Sequence, residues 1–218
     1  MRPEIILGEP GLESRRINLQ RRIVAQFRKP HGLAGTLAGW IMANRASNIA
    51  RNKWTVGLLS LAPGARVLEI GCGPGIGLDA VLSAAADTHV TGLDHSELMI
   101  TKAAKRHANA LKFCRLELVC GELTNLQSGQ GFNAIFSCNV LQFVDDRKVF
   151  LTLAHNHLKT GGQFVTTYQP RGQCASADEG RSWISQFAED LCQAGFTDVD
   201  VQERNFGKMP AFCAIAMR

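Results

Sequence analysis

The chain has no apolar stretch approaching the roughly 18 residues that a membrane span requires, so no spanning helix is expected. Its opening residues, MRPEIILGEPGLESRR, mix acids with bases and hold no apolar run of the kind that a secretory leader carries. A cytoplasmic location is the expectation. Paired metal-ligand spacings are missing too. The seven cysteines, at 72, 114, 120, 138, 174, 192 and 213, are odd in number and include no C-x2-C or C-x4-C pair. That argues against a disulfide framework and a zinc chelate, and leaves reduced, mostly buried small hydrophobes with no metal. No internal repeat and no low-complexity tract breaks the chain.

What is present fits one globular domain with an appendage: 218 residues, 45% hydrophobic and 20% charged. The net charge of +5 is unevenly spread. Residues 1–60 hold ten Lys/Arg against three Asp/Glu, whereas residues 61–218 hold 14 against 16. The basic end is either a solvated helix face or a surface that attracts an anionic partner or substrate.

Hydrophobic spacing divides the chain at about residue 62. Ile17, Leu19, Ile23, Val24 and Phe27 share a helical side opposite arginines, Pro30 stops that helix, and a further helical pattern through Ile49, Val56 and Leu59 runs to Ala62. Residues 1–62 are therefore expected to form a helical appendage. The glycine-rich, apolar segment 30–42, with Leu37, Trp40 and Met42, is a candidate lid.

After the turn at Pro63 and Gly64 the period changes. Runs 66–71, 89–93, 115–120, 133–138 and 163–168 read as strands, and helical patterns occupy 75–86, 96–108 and 145–158. The link 121–132 is too short and polar for a full helix. Ser176 and Glu179 have capping-box spacing before a helix whose Trp183, Ile184, Phe187 and Leu191 share a face, with Gly195 as its stop. Two final strand-like runs, TDVDVQE and PAFCAIAM, are joined too closely for a parallel crossover and must pair antiparallel. Residues 63–218 thus predict an α/β fold: a doubly wound, seven-stranded, mostly parallel sheet of Rossmann-like type, ending in an antiparallel hairpin beneath the N-terminal helical lid.

Chemistry concentrates at the expected carboxyl ends of the strands, where such sheets bind ligands. The segment VLEIGCGPGIG, residues 67–77, carries a strand into Glu69, Gly71, Cys72 and Gly73 and then opens a helix. The dinucleotide spacing G-x-G-x-x-G fails from Gly71 and from Gly73; a G-x-G-x-x-A begins only at Gly75, five residues beyond the strand. A carboxylate at Glu69 repels a pyrophosphate and attracts an ammonium group. Asp94 closes the second strand, where a carboxylate can accept both ribose hydroxyls. At the third, Glu122 can accept from an adenine amino group, with Leu123 against the ring. As alternatives, Asp94 is a helix N-cap competing with Ser96, and Glu122 a plain loop residue. His107 and His157, late in their helices, suit favourable C-terminal placement.

In order, VLEIGCGPG, GLDHSELM, CGE, FNAIFSCNVLQFV and LKTGGQFV resemble the successive motifs of class I S-adenosylmethionine-dependent methyltransferases. The resemblance spans about residues 60–218. It implies S-adenosyl-L-methionine as cofactor, the methionine part at Gly71, Cys72 and Gly73, ribose at Asp94, adenine at Glu122 and Leu123, and Asn139 closing over the methionine end. His95 and Met99, within the matched GLDHSELM, join the cofactor set with Glu69. The sequence departs from the family pattern at Asn133, where an acid often opens the fourth strand, and at Gln142, in place of a histidine. Ser137-Cys138-Asn139-Val140 is not the Asn/Asp-Pro-Pro-Tyr/Phe of base and glutamine amine methylators, and no proline precedes Cys138, so a flipped nucleic-acid base is disfavoured. A small-molecule acceptor is expected, methylated by in-line displacement with no nucleophilic residue. His31, Tyr168 and Asn139 are the polar groups expected near the mouth. Two readings compete: a catalytically silent cofactor- or nucleic-acid-binding module, and an NAD-dependent oxidoreductase using the late glycine motif. The reading admits both a monomer and a homodimer.

Overall fold

The computed structural model describes residues 6–7, 45–84, 87–126, 131–171 and 175–218. The expected helix over residues 15–28, the candidate lid 30–42, His31 and Cys174 lie outside these residues.

Eight strands form one sheet among the described residues: β1 (Ile6–Leu7), β2 (Arg66–Ile70), β3 (His89–Asp94), β4 (Leu116–Cys120), β5 (Phe132–Cys138), β6 (Leu158–Tyr168), β7 (Thr197–Asn205) and β8 (Pro210–Met217). Their spatial order is β1-β4-β3-β2-β5-β6-β8-β7. Strands β2 to β6 run parallel, and β8 pairs antiparallel with both β6 and β7. The seven expected strands and the terminal antiparallel pair are all present. Sequence reading had no sign of β1, whose two residues pair parallel with Val119 and Cys120 at the sheet edge.

The helices are α1 (Arg45–Gly57), α2 (Ile76–Ala84), α3 (Glu97–Arg106), α4 (Ala108–Lys112), α5 (Arg147–His157) and α6 (Ala177–Gln193). The link expected to lack a full helix carries only a 3-10 turn, Leu123–Asn125. Strand β2 shows how the pleat sorts its residues. Val67 packs with Trp54, Leu78, Ile100 and Phe136 on one face, and Leu68 with Ile135, Phe164, Phe187 and Phe212 on the other. Both faces are covered, so the central strands are apolar almost throughout. Glu69 is the exception on β2, on the Val67 side, 2% exposed.

Several boundaries move. Helix α1 ends at Gly57 and not Ala62, because Leu58 and Leu59 N–H close back onto Thr55 and Val56 carbonyls and Gln163 of β6 then captures the chain. Its Nε2 donates to Leu58 O at 3.1 Å and its Oε1 accepts from Ser60 N at 2.9 Å. Trp54, Val56 and Leu59 enter the core with Val67 and Leu78, so this segment packs as part of the body. The 96–108 helix breaks at His107 and resumes as α4. At α6, Ser176 Oγ accepts from Glu179 N–H at 3.1 Å, and Ile184, Phe187 and Leu191 are buried.

Candidate active site

Strand order reverses at β2, with β3 on one side and β5 on the other, and a crevice opens at their carboxyl ends. The glycine turn leaves β2 here. Gly71, Gly73 and Gly75 all have left-handed φ, 68°, 52° and 87°. The turn is fastened to β3: Gly71 and Cys72 N–H both donate to Leu93 O, and Gly73 N–H donates to Asp94 Oδ2 at 2.8 Å. The other Asp94 oxygen accepts from Ser96 N–H at 2.9 Å. Asp94 therefore splints the turn to the start of α3 and is not the helix cap; Ser96 holds that position without a side-chain cap bond. Each carboxylate oxygen still has a lone pair for a ligand hydroxyl.

A mostly apolar cleft lies beside the turn. Gly71, Asp94, His95, Glu122 and Leu123 line it, so the structure brings these five expected residues together. Sequence reading missed Val140, Val149 and Phe150, which complete the apolar wall. Val140 follows β5, and the two others come from the first turn of α5, whose periodicity showed only a helix. Burial raises the Glu122 carboxyl above its ordinary value, and nearby His95 lowers it.

Other expected residues lie elsewhere around the turn. Cys72 points its thiol into the core, with burial pushing its pKa far up, and its N–H and C=O are both bonded within the protein. Met99 is half-buried on α3 and, among the described residues, does not line the cleft. Asn139 sits at the end of β5 with φ 56°, 9% exposed. Its Oδ1 accepts from Gln169 N–H at 2.7 Å, while its Nδ2 has no partner. Tyr168 is drawn away from base duty: its hydroxyl donates to Glu179 Oε1 at 3.2 Å, and burial followed by Glu179 raises its pKa.

Glu69 lies behind the turn, under the start of α2. The Leu78 N–H bonds to its carboxylate, Oε2 has no partner, and burial first, then the charge of Asp94, raises its pKa well above 4.5. The carboxylate occupies the space where a Cβ on Gly77 would stand, since that atom would overlap Oε1. Gly77, with Ala80, belonged to the late dinucleotide-like spacing. That spacing falls inside α2 with its glycine filled by Glu69, which leaves no turn there for a diphosphate.

His107 does more than sit at a helix end. Its Nε2 lies 2.8 Å from Gly75 O, and because a carbonyl only accepts, that nitrogen donates. A Cβ on Gly75 would stand 2.5 Å from it.

The residues fit an adenosine carrying an amino-acid tail. The apolar wall suits a purine, the carboxylates of Asp94 and Glu122 suit ribose hydroxyls and an exocyclic amine, and the buried Glu69 oxygen lacks a donor that an ammonium group supplies. Residues 67–162 match the methyltransferase-domain family. An uncharacterized methyltransferase of Bacillus subtilis (strain 168), YdaC, is 32% identical over 183 residues, covering 84% of this chain and 98% of its own. The chain belongs to the class I S-adenosylmethionine-dependent methyltransferases.

Further likeness extends to a phosphoethanolamine N-methyltransferase of Triticum aestivum, 29% identical over 72% of this chain; the match spans 32% of the wheat protein. The solved phosphoethanolamine N-methyltransferase 2 of Haemonchus contortus, in complex with S-adenosyl-L-methionine, superposes with a TM-score of 0.61 at 18% identity, over 78% of this chain and 52% of that one. The fold is shared with that methyltransferase. Among the described residues no helix is long and apolar enough to cross a membrane.

Proposed function

We propose that the enzyme methylates a small polar metabolite held above the carboxyl ends of β5 and β6. One observation carries the cofactor's placement: the carboxylates of Asp94 on β3 and Glu122 after β4 line the crevice where the glycine turn leaves the sheet, with Glu69 of β2 buried behind that turn. The wheat relative's activity, on phosphoethanolamine, supports a small acceptor.

S-adenosyl-L-methionine supplies a methyl group already activated on a sulfonium sulfur. The protein's work is to hold donor and acceptor in line and keep water out. Asp94 takes the ribose hydroxyls, Glu122 and Leu123 the adenine, and Gly71 and Gly73 the methionine backbone. Glu69 answers the ammonium charge, directly or through a water. Asn139, fixed by Gln169, offers its free amide N–H groups at the reacting end. In this reading residues 63–218 carry the cofactor, and residues 1–62, whose helix α1 packs into the same body, serve the acceptor.

Calorimetric titration with S-adenosylhomocysteine tests the assignment. Asp94→Ala should weaken binding by about 1.5–3 kcal/mol through loss of charge-assisted hydrogen bonds. Unchanged affinity in the folded variant places the ribose elsewhere.

A further inference from the structure

Helix α1 packs along β6, with Thr55 at Thr167 and Leu58 at Gln163, and sets Arg51, 2% exposed, against Gln169 just past the carboxyl end of that strand. A guanidinium so deeply buried is costly unless a carboxylate neutralises it. Among the described residues none does. Its Nη1 donates to Gln169 Oε1 at 2.5 Å and its Nη2 to Asn48 Oδ1 at 2.5 Å, both neutral amides, and its Nε is buried with no acceptor. Burial accordingly lowers its pKa, against a small opposing effect of Cys138. A second guanidinium lies close: burial and then the charge of Arg51 bring Arg171 down to about 9.

The same corner holds a second orphan donor. Gln169 joins the two, since its side-chain oxygen takes Arg51 while its backbone N–H is held by Asn139 Oδ1, leaving Asn139 Nδ2 buried and unpaired. Gln169 is itself fixed by a bond from its Nε2 to Met209 O at 2.6 Å. Below them, Thr55, Thr167 and Cys138 bond to one another, with Thr55 Oγ1 2.6 Å from Thr167 Oγ1, so the floor is rigid. Two buried donors without acceptors, one of them on a cation, thus belong to residues joined through Gln169, and an oxyanion is the group that would satisfy both.

We infer that Arg51 and Asn139, with Arg171 nearby, bind an anionic group, a carboxylate or a phosphate, on the acceptor substrate. The other source of an oxyanion is the methionine carboxylate of the cofactor. Position favours the acceptor as the partner of Arg51: the glycine turn that receives methionine leaves β2, whereas Gln169, which holds Arg51, follows β6, two strands or about 10 Å across the sheet. The inference rests on the methyl-transfer reading above and specifies which acceptors that site admits.

The test uses the full-length protein saturated with S-adenosylhomocysteine, titrated with inorganic phosphate and, separately, acetate at constant ionic strength. At least one anion should bind the wild type, Arg51→Gln should weaken it by roughly tenfold or more, and Arg171→Gln by a smaller factor. S-adenosylhomocysteine affinity should change less than about threefold in either variant. Anions that do not bind, or that bind Arg51→Gln as they bind wild type, overturn the inference and leave the cofactor site standing. Loss of S-adenosylhomocysteine affinity in Arg51→Gln, with 5′-methylthioadenosine affinity unchanged, also overturns it by assigning Arg51 to the donor's carboxylate. Failure of the wild type to bind S-adenosylhomocysteine removes both readings. If Arg51→Gln does not fold, Arg51→Lys keeps the charge but not the planar fork. Equal anion affinity in wild type, Arg51→Lys and Arg171→Gln then counts as refutation.

Discussion

Glu69 shows what single residues were legible in the sequence and what was not. Its position in an apolar strand signalled a carboxylate with a purpose and favoured a cationic ligand group, while the glycine spacing around it argued against a dinucleotide. Its partner across space, Gly77, carried no such signal, because the lack of a Cβ matters only once α2 folds back over β2. Arg51, Gln169 and His107 were illegible for the same reason: each acts through a contact more than 30 residues away along the chain. An ammonium group bound beside Glu69 draws its proton off; without that cation, burial holds the proton on in the folded protein over a range where the unfolded chain has lost it. The stability this contributes is complete below about pH 4.5 and declines as pH rises through the raised folded value. Glu69→Gln keeps an acceptor for Leu78 N–H and removes the titration. The variant should unfold at a higher temperature than wild type at neutral pH, flatten that decline, and bind S-adenosylmethionine more weakly by about 1.5–3 kcal/mol. Thermal unfolding across pH and calorimetry read the two opposed effects.

Elements with strong periodicity were readable, and their ends were not. Helix α6 presents the anticipated face, and its N-terminal cap is where Ser176 placed it. Strand β6 begins at Leu158, five residues before the expected start, directly after α5. Gly161 and Gly162 look like a turn in sequence, yet Gly161 N–H donates to Arg218 O and Arg218 N–H to Gly162 O, so pairing with the chain's last residue keeps them in the sheet. Asn133, which departs from the family pattern, ties strand ends together, because its Oδ1 accepts from both Arg66 N–H and Lys159 Nζ. The junction between α1 and the sheet depends on Gln163. Gln163→Leu deprives Leu58 C=O and Ser60 N–H of their partner and should cost about 1–3 kcal/mol in denaturant unfolding. Because α1 carries Arg51, methyl transfer should suffer more than S-adenosylhomocysteine binding in that variant.

At the scale of the whole molecule, charge and topology point the same way. The sheet puts its ligand-facing strand ends on one side, and the positive excess of the chain lies in the first 60 residues, which include α1 and its Arg51 at Gln169, just past the end of β6. Removing residues 1–30 should therefore reduce turnover more than cofactor affinity, measured by initial rates and calorimetry on one preparation; equal losses would make the basic segment part of the cofactor site. For an anionic acceptor, kcat/KM should also fall with added salt, as long-range attraction is screened. The Asp94 carboxylate takes the Gly73 and Ser96 N–H groups in bonds internal to the protein. The amide protons of those two residues should exchange slowly in the free enzyme and change little on loading, because the cradle is already set before its guest arrives and association spends no free energy on shaping it.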